Sequence, residues 1–273
     1  MSTVLYAIPT LGTRNCWLRL SLASVLRQTG PAVRTVVVAP TGSPAQDVAG
    51  SMGVEYLASD RPGLSAAVND VWKTYGGDHD YLGWLADDDV LSPLSLLAAA
   101  DHLDHHPGCV AVYGRMREIR SDGSTVLVAR PGRLAAALLP YGTQQVPGVG
   151  GLFRADAVRE AGYLDEGLSY AMDYAIFLAL RRRGSLDYLP VELAAVRSHG
   201  DRITENRTDG GREITTVRES AFTARQARWY GRLTWAAQAA DRLYGSVLRR
   251  MPADPAPRVG GVPYVDPAAG TAR

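Results

Sequence analysis

Short apolar runs and helical repeats alternate along the early part of the chain. Residues 4–8 are continuously apolar and stop at Pro9-Thr10, the pattern of a buried parallel strand running into a loop. Trp17, Leu18, Leu20, Leu22, Val25 and Leu26 then recur at helical spacing and give way to Gly30-Pro31, a helix with its stop. Residues 33–39 form a second, β-branched strand ended by Pro40-Thr41-Gly42-Ser43, and 54–58 a third. The pattern predicts a helix over 64–75 and a fourth strand over 81–86, which runs straight onto Asp87-Asp88-Asp89. Strand, helix and parallel strand make a βαβ unit, and its repetition predicts an α/β fold: a sheet flanked by helices on both faces. Ligands of such sheets bind beyond the carboxyl ends of the strands, which puts Thr10, Thr41 and the three aspartates on one edge.

Further on, 110–116 reads as a strand, and 119–128 extends a hairpin through an Asp122-Gly123 turn. Gly148, Gly150 and Gly151 precede Leu152-Phe153; a helix holding 157–161 ends at Gly162, and another over 173–183 ends at Gly184. Residues 215–250 show a long helical pattern in which aromatic and aliphatic positions interleave with arginines. Two readings of it stay open. One is a helical pair packed on the domain or on a twin subunit, a homodimer; the other is an interfacial surface resting on anionic lipid. From 252 to 273 proline, alanine and glycine dominate, the composition of a disordered tail.

Composition narrows the class. A chain of 273 residues with 46% hydrophobic content buries a substantial core. The formal charge is +1, from 29 basic and 28 acidic side chains, which gives no global case for nucleic acid as a partner. Cys16 and Cys109 fit neither a disulfide framework nor a zinc spacing. No basic region precedes the first apolar run and no stretch reaches membrane-spanning length, so the expected location is cytoplasmic, with peripheral contact at the inner membrane face as the variant.

Three consecutive carboxylates after a buried strand repel one another unless a cation or strong donors offset them, and a divalent ion is the simplest answer. A solvated acidic turn or a helix N-cap is the alternative.

Taken together, several segments resemble the family 2 glycosyltransferases over roughly residues 3–205. Ile8-Pro9-Thr10 with the Ser24-Val25-Leu26-Arg27-Gln28-Thr29 stretch is similar to the family's first strand and helix. Gly63-Leu64-Ser65-Ala66-Ala67 with Asn69 resembles its glycine-led helix, and Asp87-Asp88-Asp89 with Pro93 its metal motif. Gly151-Leu152-Phe153-Arg154, the 161–166 segment and Met172-Asp173-Tyr174 resemble its acceptor side. The resemblance implies a GT-A fold: a Rossmann-like, mixed and mostly parallel sheet over 1–210, with a nucleotide-sugar half (1–116), an acceptor half (117–210) and a helical extension over 211–251. It implies an inverting hexosyl transfer from a TDP-, UDP- or GDP-sugar to a polysaccharide, lipid-linked or small-molecule acceptor. Mn²⁺ or Mg²⁺ would be held by Asp88, Asp89 and His199, with Asp173 as general base. Pro9, Thr10, Arg14, Thr41, Arg61, Asn69 and Asp87 would contact the nucleotide sugar, Asp87 through the ribose. Gly150, Gly151, Tyr170 and Met172 would face the acceptor.

The departures matter as much. Thr41 stands where family members usually carry an acidic residue that contacts the base, and Val68 where an arginine often precedes the asparagine; Arg61 or Arg14 is the substitute for that charge. Two rival classes are a catalytically silent nucleotide-sugar binder and a sugar nucleotidyltransferase. The second would need a glycine-rich basic phosphate loop, for which Leu11-Gly12-Thr13-Arg14 is a poor substitute.

Overall fold

Strand β1 (Thr3–Pro9) is buried from Val4 onward because it has neighbours on both edges and cores on both faces. In this computed structural model, which describes residues 1–199, 207–248, 258–259 and 262–263, β2 (Ala32–Ala39) pairs with β1 in parallel on one side. β4 (Tyr81–Trp84) pairs in parallel on the other, and β3 (Glu55–Ala58) extends the sheet beyond β2. Leu5 and Ala7 enter one core with Val36, Val38 and Trp72, while Val4, Tyr6 and Ile8 enter the other with Leu18, Leu22 and Val37. Helices α1 (Asn15–Leu26) and α2 (Ala45–Ser51) cover the second face, and α3 (Leu64–Tyr75) covers the first. Gly83 is small because a Cβ there would lie 2.4 Å from the Tyr6 ring.

The sheet changes direction past β4. β8 (Leu152–Arg154) lies antiparallel between β4 and β6 (Cys109–Ile119); β9 (Ser185–Arg197) runs parallel to β6, and β5 (Val90–Leu91) closes the edge antiparallel to β9. The order is β3-β2-β1-β4-β8-β6-β9-β5, with β7 (Thr125–Ala129) paired to β6 across the Asp122-Gly123 turn. The parallel share is thus concentrated in the β3-β2-β1-β4 block, and the second half mixes both directions. Helices α4 (Ser95–His105), α5 (Leu134–Leu138), α6 (Ala155–Ala161) and α7 (Met172–Leu180) complete the layers. α7 is apolar almost all round, as suits a helix that the domain encloses.

Two C-terminal helices follow. α8 (Arg207–Ala221) lays Ile214 and Val217 against the core that holds α7, and α9 (Ala224–Leu248) sets the Tyr230 ring between Tyr141 and Phe222. The tail expected over 252–273 falls outside the described residues except for 258–259 and 262–263, which pair as two short antiparallel strands. Among the described residues no helix is long and apolar enough to cross a membrane.

Candidate active site

Asp87, Asp88 and Asp89 leave the sheet where β4 ends, and all three are buried. Asp87 Oδ2 accepts a 2.5 Å hydrogen bond from the Thr10 hydroxyl at the end of β1. Asp88 Oδ2 lies 2.6 Å from His199 Nε2 and 3.2 Å from an Arg14 guanidinium nitrogen. Asp89 Oδ1 accepts 2.9 Å from the backbone N–H of Arg197, the last residue of β9. The Arg197 side chain, itself buried, donates 3.0 Å to the Asp88 carbonyl and 3.2 and 3.1 Å to the carbonyls of Arg120 and Ser121. Trp17 on α1 roofs this corner, 5.0 Å from the His199 ring and 5.2 Å from the Arg197 guanidinium.

Desolvation raises the Asp87 carboxyl above its ordinary range, and the neighbouring Asp88 charge adds to the rise against the Thr10 hydrogen bond and the Arg14 charge. Two carboxylates and an imidazole offer oxygen and borderline nitrogen donors, the set that suits Mn²⁺ or Mg²⁺. Asp88 Oδ2 already attracts one cationic group, Arg14, so the corner fits a divalent ion by both charge and donor type.

From this corner a cleft of about 1240 Å³ runs past Pro9, Val38–Pro40 and Asp60–Gly63 on one side and Gln144–Val149, Tyr170 and Met172 on the other. Asp173 lies at the first turn of α7 and faces it. The residue is half-buried as a whole, yet Oδ1 is sealed from solvent and has no hydrogen-bond partner among the described residues. Desolvation alone pushes its carboxyl up to about 7. Gly148 makes the fit: a Cβ at that position would lie 2.4 Å from the Asp173 carboxylate. Glu213 of α8 holds the loop that leads into α7, accepting from the backbone N–H groups of Ser169 (3.2 Å), Tyr170 (2.8 Å) and Ala171 (2.9 Å). One carboxylate from a distant helix thus satisfies three backbone donors just ahead of α7.

The remaining expected contacts divide. Pro9, Thr10, Arg14, Arg61, Asp87, Asp88, Asp89, Tyr170, Met172 and Asp173 line the cleft together, and His199 touches it through Asp88. Arg61 is held by Asp70 at 2.7 Å and by Glu166. Thr41 lies behind the wall and grips Asp60, its N–H and hydroxyl each donating 2.8 Å to that carboxylate. Asn69 is buried with its amide committed to Leu164 N and O (3.0 and 2.9 Å) and to Glu166 (3.0 Å). Gly150 and Gly151 pack on Leu193–Ala194 and on the Val112 carbonyl, shaping the turn behind the cleft.

Sequence reasoning missed Asp60, Glu213 and Arg197 as site groups. Asp60 carried the signal of its place, directly after the third strand; the other two act through tertiary contact that no local spacing reveals. Ile214 of α8 and Gln238 and Tyr244 of α9 also reach the cleft wall. Far from it, His102, Cys109 and Asp187 bring donor atoms within 4.8 Å of one another, from α4, β6 and β9. That cluster includes a buried thiol, which is not a ligand type for Mn²⁺ or Mg²⁺.

Fold and cleft together define the class, a GT-A domain of the kind that handles sugars carried on nucleoside diphosphates. The model of glycosyl transferase family 2 matches residues 7–162, and the chain belongs to that family. No curated protein sequence matches it. Among solved structures, S. aureus TarS 1-349 in complex with UDP-GlcNAc aligns with a TM-score of 0.63 at 14% identity, covering 81% of this chain and 66% of that one. The same TarS fragment with UDP gives 0.61 at 14% identity, with 81% and 65% covered. A longer S. aureus TarS chain gives 0.57 at 17% identity, with 79% and 39% covered. The chain therefore spans just under two thirds of the TarS 1-349 fragment and well under half of the longer form.

Proposed function

We propose that this protein transfers a sugar from a nucleoside diphosphate sugar to an acceptor hydroxyl with inversion at the anomeric carbon. The observation that carries the reading is a sealed carboxylate, Asp173, set across one cleft from the buried Asp87-Asp88-Asp89 corner. Asp88, Asp89 and His199 would hold Mn²⁺ or Mg²⁺, which when bound supplies Lewis-acid neutralisation of the leaving diphosphate. Arg14 and Arg61 bring further positive charge to the diphosphate, and Asp87 accepts from the ribose. Asp173 takes the proton from the acceptor oxygen as that oxygen attacks the face opposite the nucleotide, a role its raised carboxyl suits near neutral pH. Pro9 and Thr10 line the nucleotide path, while Tyr170 and Met172, with Gly150 and Gly151 behind them, bound the acceptor.

Thr41 occupies the place of the expected base-contacting acid and instead fixes Asp60. The backbone N–H of Thr41 is the strongest influence on the Asp60 carboxyl, holding it below the usual range, so it stays ionised. Four lone-pair sites on a carboxylate leave room to accept an imide N–H of uracil or thymine, or the guanine edge. TarS binds UDP and UDP-GlcNAc, which makes a uridine donor the first to try.

The test is a thermal-shift and turnover panel of UDP-, TDP- and GDP-sugars with and without Mn²⁺. One donor is expected to raise Tm in the presence of Mn²⁺ and to be consumed. Asp88→Ala should abolish the Mn²⁺-dependent shift as well as turnover. A wild-type protein that binds a donor yet never releases nucleoside diphosphate would establish a silent binder instead.

A further inference from the structure

Helix α9 presents two faces. One packs on the domain through Tyr230, Thr234, Gln238 and Tyr244: Thr234 accepts from Arg218 at 2.5 Å, and the Tyr244 hydroxyl accepts from Arg130 N at 3.2 Å. Beside it runs a stripe of Trp229, Leu233, Ala236, Ala240, Leu243 and Val247, exposed except at the half-buried Ala236. The large members are exposed, at 60% for Trp229, 46% for Leu233, 67% for Leu243 and 47% for Val247. The spacings are four, three, four, three and four residues, a strict two-in-seven repeat carried through nearly three heptads. That period keeps a seam facing a partner helix, whereas a helix resting on its own domain or on a bilayer needs a broader apolar face.

The order of sizes along the seam identifies the partner. About residue 238 the stripe is a palindrome: Ala236 mirrors Ala240, Leu233 mirrors Leu243, and Trp229 mirrors Val247. A second copy of the helix laid antiparallel meets it large against large at the ends and small against small at the centre. The alanines let the two backbones approach closely. No charged residue lies on the seam. Alanine contributes little to burial in lipid, so a bilayer gives no reason for small residues at the middle of the stripe. We infer that the protein is a C2 dimer through α9, with Leu233 packed on Leu243 of the partner subunit. Because Gln238 and Tyr244 of the same helix wall the cleft, pairing would brace the acceptor side of each active site from outside.

Sedimentation of the full chain at tens of micromolar tests this: twice the 29.3 kDa chain mass is expected. Leu233→Glu with Leu243→Glu should return the monomer mass with the far-ultraviolet circular dichroism of the fold unchanged, since both side chains are exposed in the single chain. Direction is read by cross-linking in a Cys16→Ser background. In an antiparallel pair Leu233→Cys of one copy meets Leu243→Cys of the other, while two copies of residue 233 lie roughly 15 Å apart along the axis, beyond disulfide reach. Mixing the two single variants should therefore give only the mixed disulfide. A monomer at these concentrations overturns the inference, as does a dimer that survives the double glutamate, or disulfides between like positions. So does a monomer that co-sediments with phosphatidylglycerol vesicles and loses that binding in the double variant, which would assign the seam to lipid.

Discussion

Replacing Asp173 by asparagine is expected to stabilise the protein at pH 8 while stopping turnover. Burial raises the carboxyl from 3.8 to about 7, with no partner on Oδ1 to offset the lost hydration. At about 1.4 kcal/mol per pH unit, keeping the group ionised costs on the order of 4 kcal/mol once the pH exceeds 7. Asparagine removes the charge but leaves a buried amide in the same sealed place, a penalty of about 1–3 kcal/mol. The balance favours the variant by about 2 kcal/mol, which at roughly 2–4 °C per kcal/mol is a Tm gain of about 4–8 °C. The sign with pH follows from a folded value above the unfolded one. Wild type is protonated and free of the penalty at acid pH, and loses that advantage as the pH climbs through 7. The gap between variant and wild type should therefore close by about pH 5. Thermal unfolding of both proteins at pH 5 and pH 8 measures it directly. A gap independent of pH, or an Asp173→Asn protein less stable at pH 8, would refute the claim that an uncompensated buried charge sits at this position.

Three other outcomes are expected. Glu213→Ala should lose about 1–3 kcal/mol at neutral pH by leaving the amides of residues 169–171 without their acceptor, and turnover with it. Burial raises the Glu213 carboxyl, but the amides of Ala171, Tyr170 and Ser169 outweigh that and hold it below the usual range. The stabilisation is thus present above the unfolded value and fades as the pH falls through the folded one, which urea midpoints at pH 7 and pH 3.5 should show. Gly148→Ala forces the Asp173 carboxylate aside, and a displacement of about 1 Å at a catalytic group costs roughly 10²-fold in kcat; an unchanged kcat would remove Gly148 as its support. Leu94, exposed with φ of +60°, sits in the left-handed region before α4, so Leu94→Asn should gain about 1 kcal/mol without affecting activity, read as a rise in Tm.

The first half of the sheet was legible in the sequence because its strands and the polar residues that follow them are local. β1, β4 and the second half of β2 are continuous apolar runs, each stopping at the cleft edge, so Thr10 and Asp87 to Asp89 announce their position by where the run ends. α2 and α4 escaped notice because alanine-rich turns such as Ala45–Ser51 carry too few large apolar residues to mark a face. β9 escaped for another reason: Pro190 and Glu192 interrupt its pattern, and its pairing with β6 shifts register around Tyr113–Met116. The opposite wall of the cleft depends on contacts between remote segments. Glu213 reaches the α7 entry from 42 to 44 residues downstream, by way of a helix whose own periodicity says nothing about which loop it will hold. Asn69 shows the converse, a residue well placed in a recognisable motif whose amide bonds Leu164 and Glu166.

Arg197 gives the acidic corner a property that neither its charge nor its donor set would provide. Its backbone N–H holds the Asp89 carboxylate, its guanidinium holds the Asp88 carbonyl, and the same side chain ties both to the carbonyls of residues 120 and 121. The aspartate loop is thereby fastened to β9 and to the β6–β7 hairpin at once. The entropy of fixing that loop is lost when the chain folds and need not be lost again when a donor arrives. On the proposed assignment, a donor meets a rigid template at its diphosphate end, and adjustment to different acceptors falls to the opposite wall, where α7, α8 and α9 meet.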